Sequence, residues 1–175
     1  MRIISGAFKG RRLNPPKNLP VRPTTDKAKE SLFNILNNYY FFDELSVLDL
    51  FSGTGSISFE FASRGARKIT AVDVDFKCVS FIKKTASDFG MPLKAVRANV
   101  FSFAATGREK FDLIFADPPY DMKRIEELPD LVFNNSMLAD DGLLIIEHSS
   151  KTDFSKHPHY KETRIYSKVN FSFFE

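Results

Sequence analysis

A single cysteine, Cys78, excludes an intramolecular disulfide and fits a reducing compartment. No apolar stretch approaches the roughly 20 residues that a membrane helix requires. The N-terminus carries no signal-like apolar region, so a cytoplasmic protein without a membrane partner is expected. The three histidines, His148, His157 and His159, follow no ligand spacing. No histidine/cysteine cluster accompanies them, so no metal is expected, and they read as surface or loop residues. Internal repeats and low-complexity tracts are absent. So is tryptophan, and the aromatic character rests on 19 phenylalanines. They belong to a hydrophobic content of 43%, enough for a sizeable core. With 175 residues, one domain with room for a small appendage is expected, as a monomer.

Charge is modest in sum and uneven in place. The chain is net +3, but residues 1–30 hold eight basic and two acidic groups, net +6. The other 145 residues are net −3. A basic arm on a mildly acidic body is the electrostatic footprint of a nucleic-acid-binding protein. Arg2, Lys9, Arg11, Arg12 and Arg22 are the candidate backbone contacts. The plainer reading of the same residues is a solvated, positively charged edge.

Residues 1–13 place Gly6 and Gly10 between short apolar stretches, which predicts a small hairpin. Four prolines in 14–23 predict an extended linker. The arm and linker, 1–23, are thus set apart from a domain at 24–175. Thr24 or Thr25 can cap a helix whose apolar residues run from Ala28 to Tyr39. Strands are then predicted at 47–51, 68–72, 93–98, 111–116 and 142–146. Helices are predicted at 57–63, 76–89, 100–105 and 125–133, with Pro129 either in the first turn of the last or splitting it. The third strand is less apolar and should lie near an edge. The final pair, 161–166 and 169–174, is too close for a crossover helix and must pair antiparallel. The expected fold is α/β: a mostly parallel seven-stranded sheet with helices on both faces and an antiparallel C-terminal hairpin.

In such sheets ligands bind beyond the carboxyl ends of the strands. Asp49-Leu50-Phe51-Ser52-Gly53-Thr54-Gly55 spans the end of the first strand and the loop that follows it. Gly53 and Gly55 allow a tight turn and close ligand approach. Asp73 ends the second strand and can accept both hydroxyls of a ribose. A nicotinamide cofactor would want a third glycine where Ser58 stands, and Asp49 would repel its pyrophosphate. S-adenosylmethionine fits better: it has an ammonium group, a ribose and an adenine, and no phosphate. Phe51 belongs to the same loop, and Asn99 is either an adenine contact or an ordinary turn residue.

Asp117-Pro118-Pro119-Tyr120 follows the fourth strand directly. A nucleobase amine is a poor nucleophile because its lone pair is delocalised into the ring. Acceptors on the amino protons favour localising that pair. The Asp117 carboxylate and the Pro118 carbonyl can supply two. Pro118 and Pro119 hold the backbone still, and Tyr120 can stack on the base. The target must be single-stranded or flipped out to reach such a pocket.

Taken with Arg2-Ile3-Ile4-Ser5-Gly6, Lys9-Gly10-Arg11-Arg12-Leu13 and Arg22-Pro23-Thr24-Thr25-Asp26, these motifs resemble the RsmD family. Its members are bacterial methyltransferases of the N2 amine of a guanine in small-subunit (16S) ribosomal RNA. The resemblance implies a Rossmann-like class I S-adenosylmethionine-dependent methyltransferase fold. It also implies ribosomal RNA or the assembling small subunit as partner. The chain departs from the family with Asp73 where Glu is frequent, Asn99 where Asp is frequent, and Ser167 where Gly is frequent. Two other readings stay open: a DNA adenine or cytosine amino-methyltransferase, and a non-catalytic RNA-binding module.

Overall fold

The structure, a computed structural model, describes residues 1–17, 19, 25–166 and 169–175. Arg22, half of the proline linker, Thr24 and Ser167 lie outside the described residues.

Seven strands form one sheet: β1 (Ser46–Leu50), β2 (Lys68–Asp73), β3 (Leu93–Arg97), β4 (Phe111–Ala116), β5 (Leu138–His148), β6 (Tyr160–Tyr166) and β7 (Val169–Phe174). Their order is β3-β2-β1-β4-β5-β7-β6. β1 to β5 pair in parallel, and β7 runs antiparallel between β5 and β6. β1 is buried along its whole length, as a central strand covered on both faces must be. β3, less apolar than the central strands, is at the edge. The chain leaves β1 toward β2 on one side and β4 lies on the other, so the topological switch point falls between β1 and β4.

Helices α1 (Asp26–Leu36), α2 (Ser56–Ser63) and α3 (Phe76–Phe89) cover one face. Helices α4 (Val100–Thr106) and α5 (Leu128–Asn134) cover the other, together with Phe154 and Phe174. Thr25 caps α1, its Oγ1 accepting from the Ala28 amide at 3.2 Å. Asp75 caps α3 through the Cys78 amide at 2.9 Å, and α3 stops at left-handed Gly90.

Four details differ from the sequence reading. α1 ends at Leu36, because the amides of Asn38 and Tyr39 fold back on the Ile35 and Leu36 carbonyls, three residues behind instead of four; Tyr39 is then 64% exposed instead of packed. The helix expected at 125–133 is a 3-10 turn, Ile125–Glu127, followed by α5 with Pro129 in its first turn. There the missing N–H of proline costs nothing. β5 begins four residues earlier than expected, through an irregularity at Asp141, whose φ is +61°. His148 is not a surface or loop residue: it ends β5, is buried, and contacts Ser172 Oγ through Nε2 at 2.7 Å. Burial lowers its pKa and favours the neutral ring.

The N-terminal hairpin makes a single antiparallel bridge, Arg2 to Arg12. Backbone bonds cross it from the Ile3 amide to Arg11, from Gly10 to Ile3 and from Leu13 to Met1, and it is also held by what it rests on. Glu60 of α2, fully buried, accepts the amides of Ile4 and Ser5 at 2.8 and 3.0 Å. Ser63 accepts the Ala7 amide at its carbonyl and donates its hydroxyl to the Ser5 carbonyl. Gly6 is required here: a Cβ would stand 1.8 Å from the Ser63 carbonyl oxygen.

Candidate active site

The loop after β1 is shaped by three left-handed residues, Phe51 (φ +62°), Gly53 (+51°) and Gly55 (+78°). For phenylalanine that conformation is strained, by about 1–3 kcal/mol, and such strain clusters at functional sites. The Ser52 amide donates to the Val72 carbonyl at 3.0 Å, and the Gly53 amide donates to Asp73 Oδ2 at 2.7 Å. Asp73 Oδ1 accepts the Asp75 amide at 2.8 Å. The Asp73 carboxylate therefore ties the end of β2 to the loop, and each oxygen keeps acceptor capacity for a ligand hydroxyl.

Gly55 serves packing. A Cβ there would lie 2.9 Å from Ile82 Cγ1 of α3 and 3.1 Å from Phe59. The sequence reading gave this glycine to a tight turn and to ligand approach; its φ of +78° bears out the turn, and what a Cβ there would meet is a helix.

Asp49, on the α2 face of β1, is 1% exposed. Its Oδ2 accepts the Ser58 amide at 3.2 Å and the Ser58 hydroxyl at 2.5 Å. Ser58 is the third residue of α2, whose own N-cap, Gly55, offers no side chain. Asp49 thus supplies from a strand the acceptor that a helix N-terminus lacks. Burial raises its pKa to about 7, with Ser58 working against the shift and the nearby Asp117 and Asp73 adding to it. A cationic group beside this carboxylate would restore its charge. Such an acceptor suits an ammonium and disfavours a phosphate.

Asn99 is the N-cap of α4, its Oδ1 accepting the amides of Phe101 and Ser102 at 3.0 and 3.4 Å. It also lines the cavity described next, with its Nδ2 the group left to donate to a ligand.

Asp117 follows β4, with its amide donating to the Leu50 carbonyl of β1 at 3.3 Å. A turn closed by the Met122 amide on the Pro119 carbonyl, 2.9 Å, fixes the rest of the tetrapeptide. Pro118 is buried, Asp117 half-buried, and Tyr120 stands 48% exposed. A cavity of about 730 Å³ joins these pieces: Asp49, Phe51, Gly53, Asp73, Asn99 and all four residues of 117–120 line it. Its size suits one cofactor or drug-sized ligand. Its place, over the carboxyl ends of β1 and β4, is the switch point.

The sequence reading missed Ser58, which shares Asp49, and Glu147, a buried residue at the end of β5 that lines the same cavity. A carboxylate closing an apolar run marked Glu147 just as it marked Asp117. The basic residues sit elsewhere. Arg2 pairs with Asp26 at 3.2 Å, and Arg11 lies over the Phe89 ring at 4.7 Å. Lys9 and Arg12 are exposed. Met1 reaches the loop itself, its Sδ 3.6 Å from Thr54 Oγ1. Among the described residues, no group of three or more histidines, cysteines and acids is arranged to hold a metal. No helix among them is long and apolar enough to cross a membrane.

A sheet of this order, with one antiparallel strand inserted beside its edge and a carboxylate-rich cleft at its switch point, defines a Rossmann-like methyltransferase. The family model described as Conserved hypothetical protein 95 matches residues 1–175, and the chain belongs to that family. Ribosomal RNA small subunit methyltransferase D of Escherichia coli (strain K12) is 35% identical, over 84% of this chain and 74% of its own length. The provisionally named rRNA methyltransferase YlbH of Bacillus subtilis (strain 168) is 38% identical, over 87% and 85%. The solved structure of a provisionally named methyltransferase, yhhF, from Escherichia coli superposes with a TM-score of 0.87. It is 29% identical and covers 99% of this chain and 96% of that one.

Proposed function

We propose that this protein transfers a methyl group from S-adenosylmethionine to the exocyclic N2 amine of a guanine in small-subunit ribosomal RNA. The observation that carries the reading is the shared cavity. It brings a buried carboxylate fit for an ammonium (Asp49), a ribose acceptor (Asp73) and an amine-gripping tetrapeptide (Asp117 to Tyr120) to one switch point. The family relationship to enzymes named for small-subunit ribosomal RNA supplies the substrate class.

The donor set fits the cofactor. Asp49 meets its ammonium, Asp73 its ribose hydroxyls, and Asn99 Nδ2 its adenine, while Gly53 and Phe51 bring backbone close. When bound, the cofactor supplies an electrophilic methyl carbon on a sulfonium. The chain does the rest by position. Asp117 and the Pro118 carbonyl accept the two N–H groups of the target amine and localise its lone pair on the side facing the methyl. The buried Pro118 and the turn at 119–122 keep those acceptors from adjusting, so their arrangement is set before the substrate arrives. Tyr120, half-exposed at the rim, stacks on the base and sets its plane. Asp117 is in place to take the proton that the amine loses. The exposed Lys9 and Arg12, with Arg2 and Arg11, meet the RNA backbone, joined by Arg22.

Labelled S-adenosylmethionine and small-subunit RNA from cells lacking the protein make the test. Methyl should appear on a guanine N2 and vanish with Asp117→Ala, while cofactor affinity stays. Transfer that survives this substitution would overturn the assigned role of the tetrapeptide, and transfer to duplex DNA in preference to RNA would overturn the substrate.

A further inference from the structure

Glu147 stands beside Asp117 at the end of the neighbouring strand. β4 and β5 pair Phe115 with Ile145 and Ala116 with Ile146, so one further step sets Asp117 next to Glu147. Phe115 and Ile145 pack into the layer under α1, α2 and α3, whereas Ala116 and Ile146 pack into the opposite layer. Strand alternation therefore turns Asp117 and Glu147 to the same face. Parallel neighbours run about 4.8 Å apart, close enough for two carboxyl side chains to reach one edge of a single base. Glu147 is only 5% exposed, and it lines the cavity that holds the tetrapeptide. Val169, two residues from Phe171, the β7 partner of Glu147, lines that cavity too. None of the cofactor contacts assigned above uses Glu147.

A carboxylate offers acceptors alone. The Watson–Crick edge of guanine presents N1–H directly beside the N2 amine, two donors side by side. Adenine and cytosine instead place an unprotonated ring nitrogen beside their amine. An anion facing that nitrogen meets a lone pair. A site built around a hydrogen-bonding group rejects analogues that lack it far more strongly than an apolar pocket rejects a shape.

We propose that Glu147 reads the target base, its carboxylate accepting N1–H of the guanine while Asp117 and the Pro118 carbonyl hold N2. The proposal rests on the guanine-N2 reading above and assigns to it the residue that selects guanine.

The probe is small-subunit RNA in which the mapped guanine is replaced by 2-aminopurine, which keeps the 2-amine but has no N1–H. The wild-type protein should favour guanine over 2-aminopurine in kcat/KM by about 10–100-fold, the range of one charge-assisted hydrogen bond. Glu147→Gln, whose amide donates to the bare N1 as readily as it accepts from N1–H, should shrink that ratio about tenfold. Its cofactor affinity should not change. A second measurement uses the wild-type protein alone. RNA with hypoxanthine at the site keeps N1–H without the amine, and it should inhibit more strongly than RNA with purine there. An unchanged guanine/2-aminopurine ratio in Glu147→Gln, even with both rates reduced, marks a structural role and overturns the proposal. Equal use of the two bases by the wild-type protein, or equal inhibition by hypoxanthine and purine, overturns it as well. Wild-type protein that leaves every guanine N2 unmethylated is a different result: it overturns the proposed function, and this assignment falls with it.

Discussion

Lys29 and Glu60 face each other in the interior, Nζ 3.7 Å from Oε2, each almost wholly shielded from solvent. Lys29 also donates to the Arg2 carbonyl at 2.6 Å and to Ser56 Oγ at 3.3 Å, while Arg64 donates to Glu60 at 2.9 Å. One buried knot thereby joins the N-terminal hairpin, α1 and the first turn of the helix behind the glycine loop. Burial lowers the Lys29 pKa, with Glu60 opposing the shift.

Removing one member of a buried pair leaves the other charge uncompensated. Glu60→Ala should therefore cost about 3–5 kcal/mol of stability, read from denaturant unfolding. The same variant should release the hairpin, because the Ile4 and Ser5 amides lose their acceptor. Hydrogen exchange at those two amides checks it: protection equal to wild type would show that the hairpin is held by its other contacts, those to Ser63 among them, without Glu60.

Gly55 answers to two constraints, a left-handed φ of +78° and a neighbour 2.9 Å from any Cβ. Gly55→Ala should lose about 1–3 kcal/mol through the strained backbone alone. The push on Ile82 should also move the loop, so cofactor affinity should fall more than affinity for RNA. Calorimetric titrations of both ligands separate the two; an equal fall would indicate general unfolding.

Asp49 ties the cofactor to pH. Its pKa is raised from 3.8 to about 7, so the folded protein holds this proton more tightly than the unfolded chain. The stability it contributes is fully present below about pH 4 and is lost as pH rises through 7. Cofactor binding runs the other way, since an ammonium calls for the ionised carboxylate. Affinity should climb through pH 7 and level off above it, with about a tenfold difference between pH 6 and pH 8. Binding near pH 6 should release a proton. Titrations in buffers of different ionisation enthalpy count that proton, and Asp49→Asn should abolish both the release and the pH dependence.

Arg11 lies over the ring of Phe89, its Cζ 4.7 Å from the ring centre, and is exposed. Arg11→Ala with Arg12→Ala should weaken RNA binding and lower the salt slope by about one to two, near 0.7 for each single-strand phosphate no longer neutralised. Cofactor affinity should hold. A salt slope identical to wild type would remove these residues from the interface.

Much of the site could be read before the fold was known. Asp73 and Asp117 each close an apolar run and Asp49 interrupts one near its end, and in a parallel sheet the end of a run is where ligands bind. Local pattern also located all seven strands and narrowed the α1 cap to Thr24 or Thr25, because strand patterning and helix capping are short-range demands. Where helices stop was less legible: Leu36 rather than Tyr39 ends α1 because of a backbone fold-back that no spacing records.

Other features depend on residues far apart in the chain and came only with packing. That Gly55 yields to Ile82, that Asp49 caps α2 through Ser58, and that His148 is buried against Ser172 all depend on which elements become neighbours. The hairpin's hold on Glu60 spans more than fifty residues, and the pairing of Asp117 with Glu147 needs the β4–β5 register. Residue type and local period declare a strand and the carboxylate at its end. Which carboxylates meet, and which of them is dry enough to titrate near pH 7, is set by strand order and burial, because desolvation and hydrogen bonding are properties of the assembled neighbourhood.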